Sequence, residues 1–212
     1  MSTTGRRRAL LVAACALSAA AITVFALGGW EGKGRAKTIT TPAARVADVP
    51  VAPAGPKPSL PAGWRRVRDG DGGFTVGLPP GWSAHRSRGT LVLRSKDKTI
   101  AIAVGADRSA PGRVARPQTY AREAMASLPG YRHLRASSTR RLDHAPYPAA
   151  RATATGTFAQ TGIAQAITLV ALQRRGEATF TLLAFSSSTT PRSPARRVVD
   201  RVVGTLHSDR PA

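Results

Sequence analysis

The chain has 212 residues, with 32 Lys and Arg against 11 Asp and Glu, a formal net charge of +21 at pH 7, and one cysteine. A single cysteine excludes an intramolecular disulfide, so stability must come from a packed core, and the basic excess, mostly arginine, favours anionic partners or surfaces. The part of the chain after residue 60 is long enough for one domain, which at about 150 residues buries ~70% of its unfolded surface.

The chain opens on a basic N-terminus, residues 1–8, ending in Arg6, Arg7 and Arg8. The uncharged run ALLVAACALSAAAITVFAL at residues 9–27 follows; as a helix it would reach about 28 Å, close to the ~30 Å of a bilayer's hydrocarbon core. Arginines at its start hold that end in the cytoplasm and send the rest of the chain outside, although Lys33, Arg35 and Lys37 follow on the far side. Residues 9–29 are therefore expected to be a transmembrane signal anchor of a single-pass membrane protein. Two alternatives stand beside it: a signal peptide cleaved near Ala26, giving a secreted domain, and a lipoprotein anchored at Cys15, since LVAAC resembles a lipobox. Apolar residues continue well past Cys15, which suits a small residue within a membrane helix.

Residues 30–60 change character. Prolines at 42, 50, 53, 56 and 58 remove amide donors, few large apolar side chains are present, and the segment is expected to be a disordered tether. From residue 61 the signal is mainly short strands: FTVGL from Phe74, TLVLRS from Thr90, TIAIAVGA from Thr99, YRHLRASSTRRL from Tyr131, ARATATGTF from Ala150, IAQAITLVALQR from Ile163 and EATFTLLAFSSS from Glu177. Turns this short imply an antiparallel sheet. Two helices are expected to cover it. PQTYAREAMASL carries Tyr120, Ala124, Met125 and Leu128 on one stripe, and SPARRVVDRVVGTLH carries Val198, Val199, Val202, Val203 and Leu206, with Ser193 as N-cap and Arg196 four residues before Asp200. The fold class is therefore α+β, a mainly antiparallel sheet covered by helices.

The glycine-rich stretch GDGGFTVGLPPGWSA at residues 70–84 invites a phosphate-loop reading. A dinucleotide loop needs a third glycine where Thr75 stands and a helix where this chain has strand alternation. A calcium loop needs an oxygen ligand where Gly73 stands and a glycine where Phe74 stands. What remains is a permissive turn, a strand with Phe74, Val76 and Leu78 on one face, a stop at Pro79 and Pro80, and Trp82 packing back near Trp64 as core.

The run GWRRVRDGDGGFTVGLPPGWSA, then strand pairs, a helix ending LPGY, longer strands and a C-terminal amphipathic helix, resembles the PsbP-like family of α/β/α sandwich domains over about residues 61–209. The resemblance implies that fold for residues 61–212, and relatives that include extrinsic photosystem subunits and membrane-tethered extracytoplasmic bacterial domains, some of them lipoproteins and some attached to receptor-type kinases. The GF.V.LP.GW element marks fold and not chemistry. No catalytic residue is shared across such relatives, and this chain's RDGDGGF is a looser version of the usual acidic-aromatic lead-in.

No nucleophile constellation is visible, because the histidines are scattered, no GxSxG elbow occurs and the one thiol lies in the apolar run. Asp69, Asp71, Asp97, Glu123, Asp143 and Glu177 could supply the carboxylate pair of a secreted envelope hydrolase, which is the enzymatic alternative. His133 and His144 lack zinc spacing, so neither metal nor cofactor is expected. An aromatic platform or DNA-reading motif is missing, and the topology keeps the domain from the chromosome, so nucleic acid is not the expected partner. The functional expectation is a non-catalytic, membrane-tethered extracytoplasmic binding or adaptor domain. Its candidate ligand residues are His85, Arg86 and Arg88 from HRSR, with Arg135, Arg140 and Arg141 from RASSTRR. The partner would be an anionic envelope polymer, acidic lipid headgroups or another protein, with scattered solvated charge as the plain alternative.

Overall fold

A computed structural model describes residues 53, 55–87, 89–107, 116–187 and 192–210. Among the described residues, ten strands and two helices run in the order β1 (Arg65–Asp69), β2 (Phe74–Leu78), β3 (Ser83–Ser87), β4 (Thr90–Arg94), β5 (Ile100–Asp107), α1 (Pro117–Ala126), β6 (Tyr131–Leu142), β7 (Ala149–Phe158), β8 (Ile163–Arg174), β9 (Ala178–Ser187), α2 (Arg192–Gly204) and β10 (His207–Ser208). Seven strands form one sheet in the order β3-β4-β5-β9-β8-β7-β6, and β1-β2-β10 form a smaller one. Every pairing is antiparallel, as the short turns require.

The large sheet is covered on both faces. On one, Ala121, Met125 and Leu128 at α1 pack against Ala103, Ala152, Leu169 and Phe185. On the other, Val199, Val202, Val203 and Leu206 from α2 and the following turn meet Ile102, Val104, Val170, Leu172 and Leu182, together with Phe74, Val76 and Leu78 from the small sheet. Such double coverage explains why β9 is apolar on both sides. Tyr120 and Ala124 complete the α1 stripe as half-buried residues. One expected detail differs: α2 begins at Arg192, so Ser193 falls inside its first turn instead of capping it. Pro194 still occupies that turn, where a missing N–H leaves no hydrogen bond unmade.

The glycine-rich stretch is a turn. Gly73 donates its N–H to the Gly70 carbonyl at 3.3 Å, Gly72 donates to Asp69 Oδ1 at 2.9 Å, and Gly73 adopts a φ of 61° that a side chain would resist. The strand that follows is buried throughout. At Gly77 the reason for glycine is space: an added Cβ would lie 2.9 Å from Thr205 Oγ1, which already accepts the Gly77 N–H at 2.8 Å. Phe74 is fully buried and meets Phe180 edge-on at 6.0 Å, whereas Trp82, expected as core, is half-buried beside the same cluster, as is Trp64. Buried Arg174 donates to Glu177 and Ser208, tying β10 to the β8–β9 hairpin, and Tyr147 Oη, from the β6–β7 connection, accepts the Ser208 N–H.

Among the described residues no helix is long and apolar enough to cross a membrane. The expected anchor at 9–29, the Cys15 alternative and most of the expected tether lie outside the described residues.

Candidate functional site: an arginine-walled groove on the large sheet

Toward the β6 edge, the sheet face under the N-terminal half of α2 changes from large to small side chains. Thr153 on β7 stands opposite Thr168 on β8, which stands opposite Ala184 on β9; one step along, Thr155, Ala166 and Ser186 make a second row that ends at Ile100 on β5. Short residues cannot reach the helix above them. A groove of about 470 Å³ is left, floored by these rows, walled on one side by Ala195, Arg196 and Val199 of α2 and on the other by Arg135, Ser138 and Arg140 of β6. That volume lies within the ~300–1,000 Å³ of small-ligand clefts.

The β6 wall depends on an irregularity in the strand. Strict alternation would turn Arg135 and Arg140 to opposite faces. Instead the register slips between Ala136 and Ser138, so Arg135 faces Thr155, Ser138 faces Thr153 and Arg140 faces Arg151, all on the groove side. A bulge of this kind re-aims side chains. The displaced Ser137 hydroxyl is held 2.6 Å from Thr153 Oγ1. A further shift between Arg132 and Arg135 accompanies His133, whose φ of 52° is unusual for a residue with a side chain.

Arg151 is the buried member of the site, its side chain 6% exposed. One terminal nitrogen pairs with Asp200 of α2, and Arg196 Nε lies 3.8 Å from the other oxygen of that carboxylate. Arg151 Nε is buried with no hydrogen-bond partner among the described residues. Burial first, then the neighbouring Arg196 charge, draws the Arg151 guanidinium down to about 10. Arg151 and Arg196 therefore share the carboxylate of Asp200, and Arg140 stands opposite Arg151 across β6 and β7.

The structure divides the expected ligand residues between two places. His85 and Arg86 lie on β3, at the opposite edge of the large sheet from β6, and Arg88 lies outside the described residues. Arg86 is engaged, at 2.9 Å from the buried Asp69 and 2.8 Å from Asp71. Burial, then Arg94, holds the His85 imidazole below its ordinary value. Arg135 and Arg140 line the groove; Arg141 lines it as well and sits 3.6 Å from exposed Asp143. HRSR and RASSTRR thus form no common surface. Arg196 is singled out from sequence only for its pairing with Asp200, which the structure shows at 3.8 Å, whereas Arg151 and the threonine floor carry no sequence signal, because Arg151 is joined to Arg140 only by strand register and to Arg196 only through Asp200.

Of the carboxylates considered for hydrolysis, Asp69 and Asp71 meet on one guanidinium and the others lie elsewhere. Asp69 and Asp71 face Arg86, Asp97 accepts from Ser95 and Thr99 within a turn, Asp143 faces Arg141, and Glu177 is buried against Arg174 and Ser208. Among the described residues no group of three or more His, Cys, Asp or Glu could hold a metal ion.

No protein-family model matches the chain, and no curated protein matches it. Solved structures do show similarity. A crystal structure from Bacteroides thetaiotaomicron VPI-5482 is 12% identical with a TM-score of 0.49, over 70% of this chain and 49% of that one, so this chain spans about half its length. The solution structure of cyanobacterial PsbP (CyanoP) from Synechocystis sp. PCC 6803 is 12% identical with a TM-score of 0.48, over 70% of this chain and 94% of that one. LpqN of Mycobacterium tuberculosis, described as involved in cell envelope biogenesis, is 16% identical with a TM-score of 0.42, over 68% of this chain and 88% of that one.

Proposed function

We propose that the chain is a membrane-tethered, extracytoplasmic binding domain of the PsbP-like kind, non-catalytic, which holds anionic envelope material in the groove between β6 and α2. The observation that carries this reading is the arginine wall of β6 set over a floor of hydroxyls and small side chains, a surface made to receive negative charge and not to pack against the chain's own elements. Arginine offers planar, permanently charged donors suited to phosphate and carboxylate. The basic N-terminus, apolar run and proline-rich segment support a position outside the membrane, within reach of a phosphate-rich surface. Placement of the carboxylates at turns and in ion pairs favours binding over hydrolysis.

Two experiments test the reading. An alkaline phosphatase fusion at Pro61 should be active, and an inactive fusion with a fluorescent cytosolic reporter contradicts the topology. Purified full-length chain should bind a teichoic-type polymer weakly, and more weakly between low and physiological ionic strength, because exposed charges are screened beyond about 8 Å there. Replacing Arg135 and Arg140 with Ser should weaken binding more than replacing Arg197 and Arg201, which are exposed on α2. Equal losses from both pairs would assign the effect to net charge, and no binding at low salt would leave a protein partner as the better account.

A further inference from the structure

We infer that Arg140, Arg151 and Arg196 form a subsite for one phosphate group, carried on a ligand whose uncharged body lies along the threonine floor. The inference rests on the groove being the binding face and adds where, and for what chemistry, it binds. Arg140 and Arg151 are directly opposed across β6 and β7. Such pairs have Cβ atoms about 5 Å apart, and like charges so placed repel. Arg196 approaches from the helix side closely enough to disfavour the charged form of Arg151, and the two share the one carboxylate of Asp200. An empty subsite therefore keeps a net positive charge in a partly dry recess, and a bound anion would relieve it.

The second observation is the unsatisfied donor. Arg151 is more than nine-tenths buried, lines the groove, and has at Nε a buried N–H with no hydrogen-bond partner among the described residues. A buried donor left unpaired carries a desolvation cost that an incoming acceptor removes. A phosphate suits the site better than a carboxylate, because donors converge from two strands and a helix and a tetrahedral group can accept from all three directions, whereas a carboxylate accepts in one plane. The groove is larger than one phosphate needs. Thr153, Thr168 and Ala184 carry no charge and offer hydroxyls and small apolar surface to the remainder of the ligand.

A phosphate of this kind could belong to a wall polymer or to a lipid headgroup, and the test separates them. Thermal unfolding of the full-length chain in mild detergent is followed at constant ionic strength with glycerol phosphate, inorganic phosphate or monomeric short-chain phosphatidylglycerol, with chloride as the control salt. A saturable rise in unfolding temperature with glycerol phosphate or inorganic phosphate supports a polymer-type or free phosphate; a rise with the lipid alone supports a headgroup. Arg140→Gln should unfold no earlier than the native chain without ligand and should weaken the response at least tenfold, while Arg197→Gln leaves both unchanged. Arg151→Met should abolish the response, and if that variant does not fold, Arg140→Gln decides alone. No saturable response to any probe, equal loss from Arg197→Gln, or earlier unfolding of ligand-free Arg140→Gln overturns the subsite. Salt-sensitive polymer binding that survives such a result would leave the broader binding role standing.

Discussion

Replacing Arg151 by Met should stabilise the ligand-free protein. The native side chain is 6% exposed, and burial with the Arg196 charge draws its guanidinium down to about 10. At about 1.4 kcal/mol for each tenfold change in an ionisation constant, holding that charge in the folded state costs ~3 kcal/mol as an upper bound. Methionine keeps the long aliphatic stem and removes the charge, the orphaned Nε and the repulsion from Arg140 opposite. Against this stands the lost pairing with Asp200. That carboxylate is 42% exposed and retains Arg196 at 3.8 Å, so leaving it costs less than stranding a fully buried partner. A net gain of ~1–2 kcal/mol is expected, in line with buried ion pairs replaced by apolar side chains of similar size. Urea unfolding of the native chain and the variant, in a buffer free of phosphate, measures it. A loss of about 1 kcal/mol or more would show that Arg151 is a structural staple and would refute the argument that stability is given up at this position for binding.

Phe74→Ala should cost ~3–5 kcal/mol, because the ring is fully buried and packs on Phe180, whereas Trp82→Ala should cost clearly less, because Trp82 is half-buried; chemical denaturation that reverses this order contradicts the core assignment. Burial, opposed by Asp209 and reinforced by Lys57, Arg174 and Arg66, holds the His207 imidazole below 6.5. The unfolded chain then binds the proton more readily, so stability falls as pH drops below 6.5 toward the depressed folded value, and His207→Gln should flatten that fall in urea titrations.

Much of the fold is legible in the sequence because its strands carry local signals. IAQAITLVALQR corresponds to β8, and within TIAIAVGA the residues Ile100, Ile102 and Val104 alternate onto one face, which the structure packs on the α2 side of the sheet. The strands that escape, β1, β3 and β10, have no apolar alternation of their own: RRVRD and SAHRS are polar edge strands, and HS is two residues paired only through β2. Trp82 was read from residue type, which fixes hydrophobicity but not depth. The groove was half legible. RASSTRR announces charge on β6, yet the bulge at Ser137 that turns Arg135 and Arg140 to one face is a property of pairing and not of pattern. HRSR looked equivalent in sequence, and only the strand order β3 to β6 separates the two by the full width of the sheet, while Asp69 and Asp71 claim Arg86 for the fold.

The central claim is that anionic ligands bind in one place, between β6 and α2, and not over the basic surface at large. Nitrogen-resolved NMR of the isotopically labelled full-length chain in micelles, titrated with glycerol phosphate at constant ionic strength, tests it directly. The account predicts that the Arg151 Nε–H resonance and the backbone amides of Thr153 and Thr168 shift together along one saturable curve, while the amides of Ser83–Ser87 on β3 remain still. Shifts of equal size at β3, at Arg197 and Arg201 and at the groove, growing without saturation, would contradict it and reduce the binding to net charge.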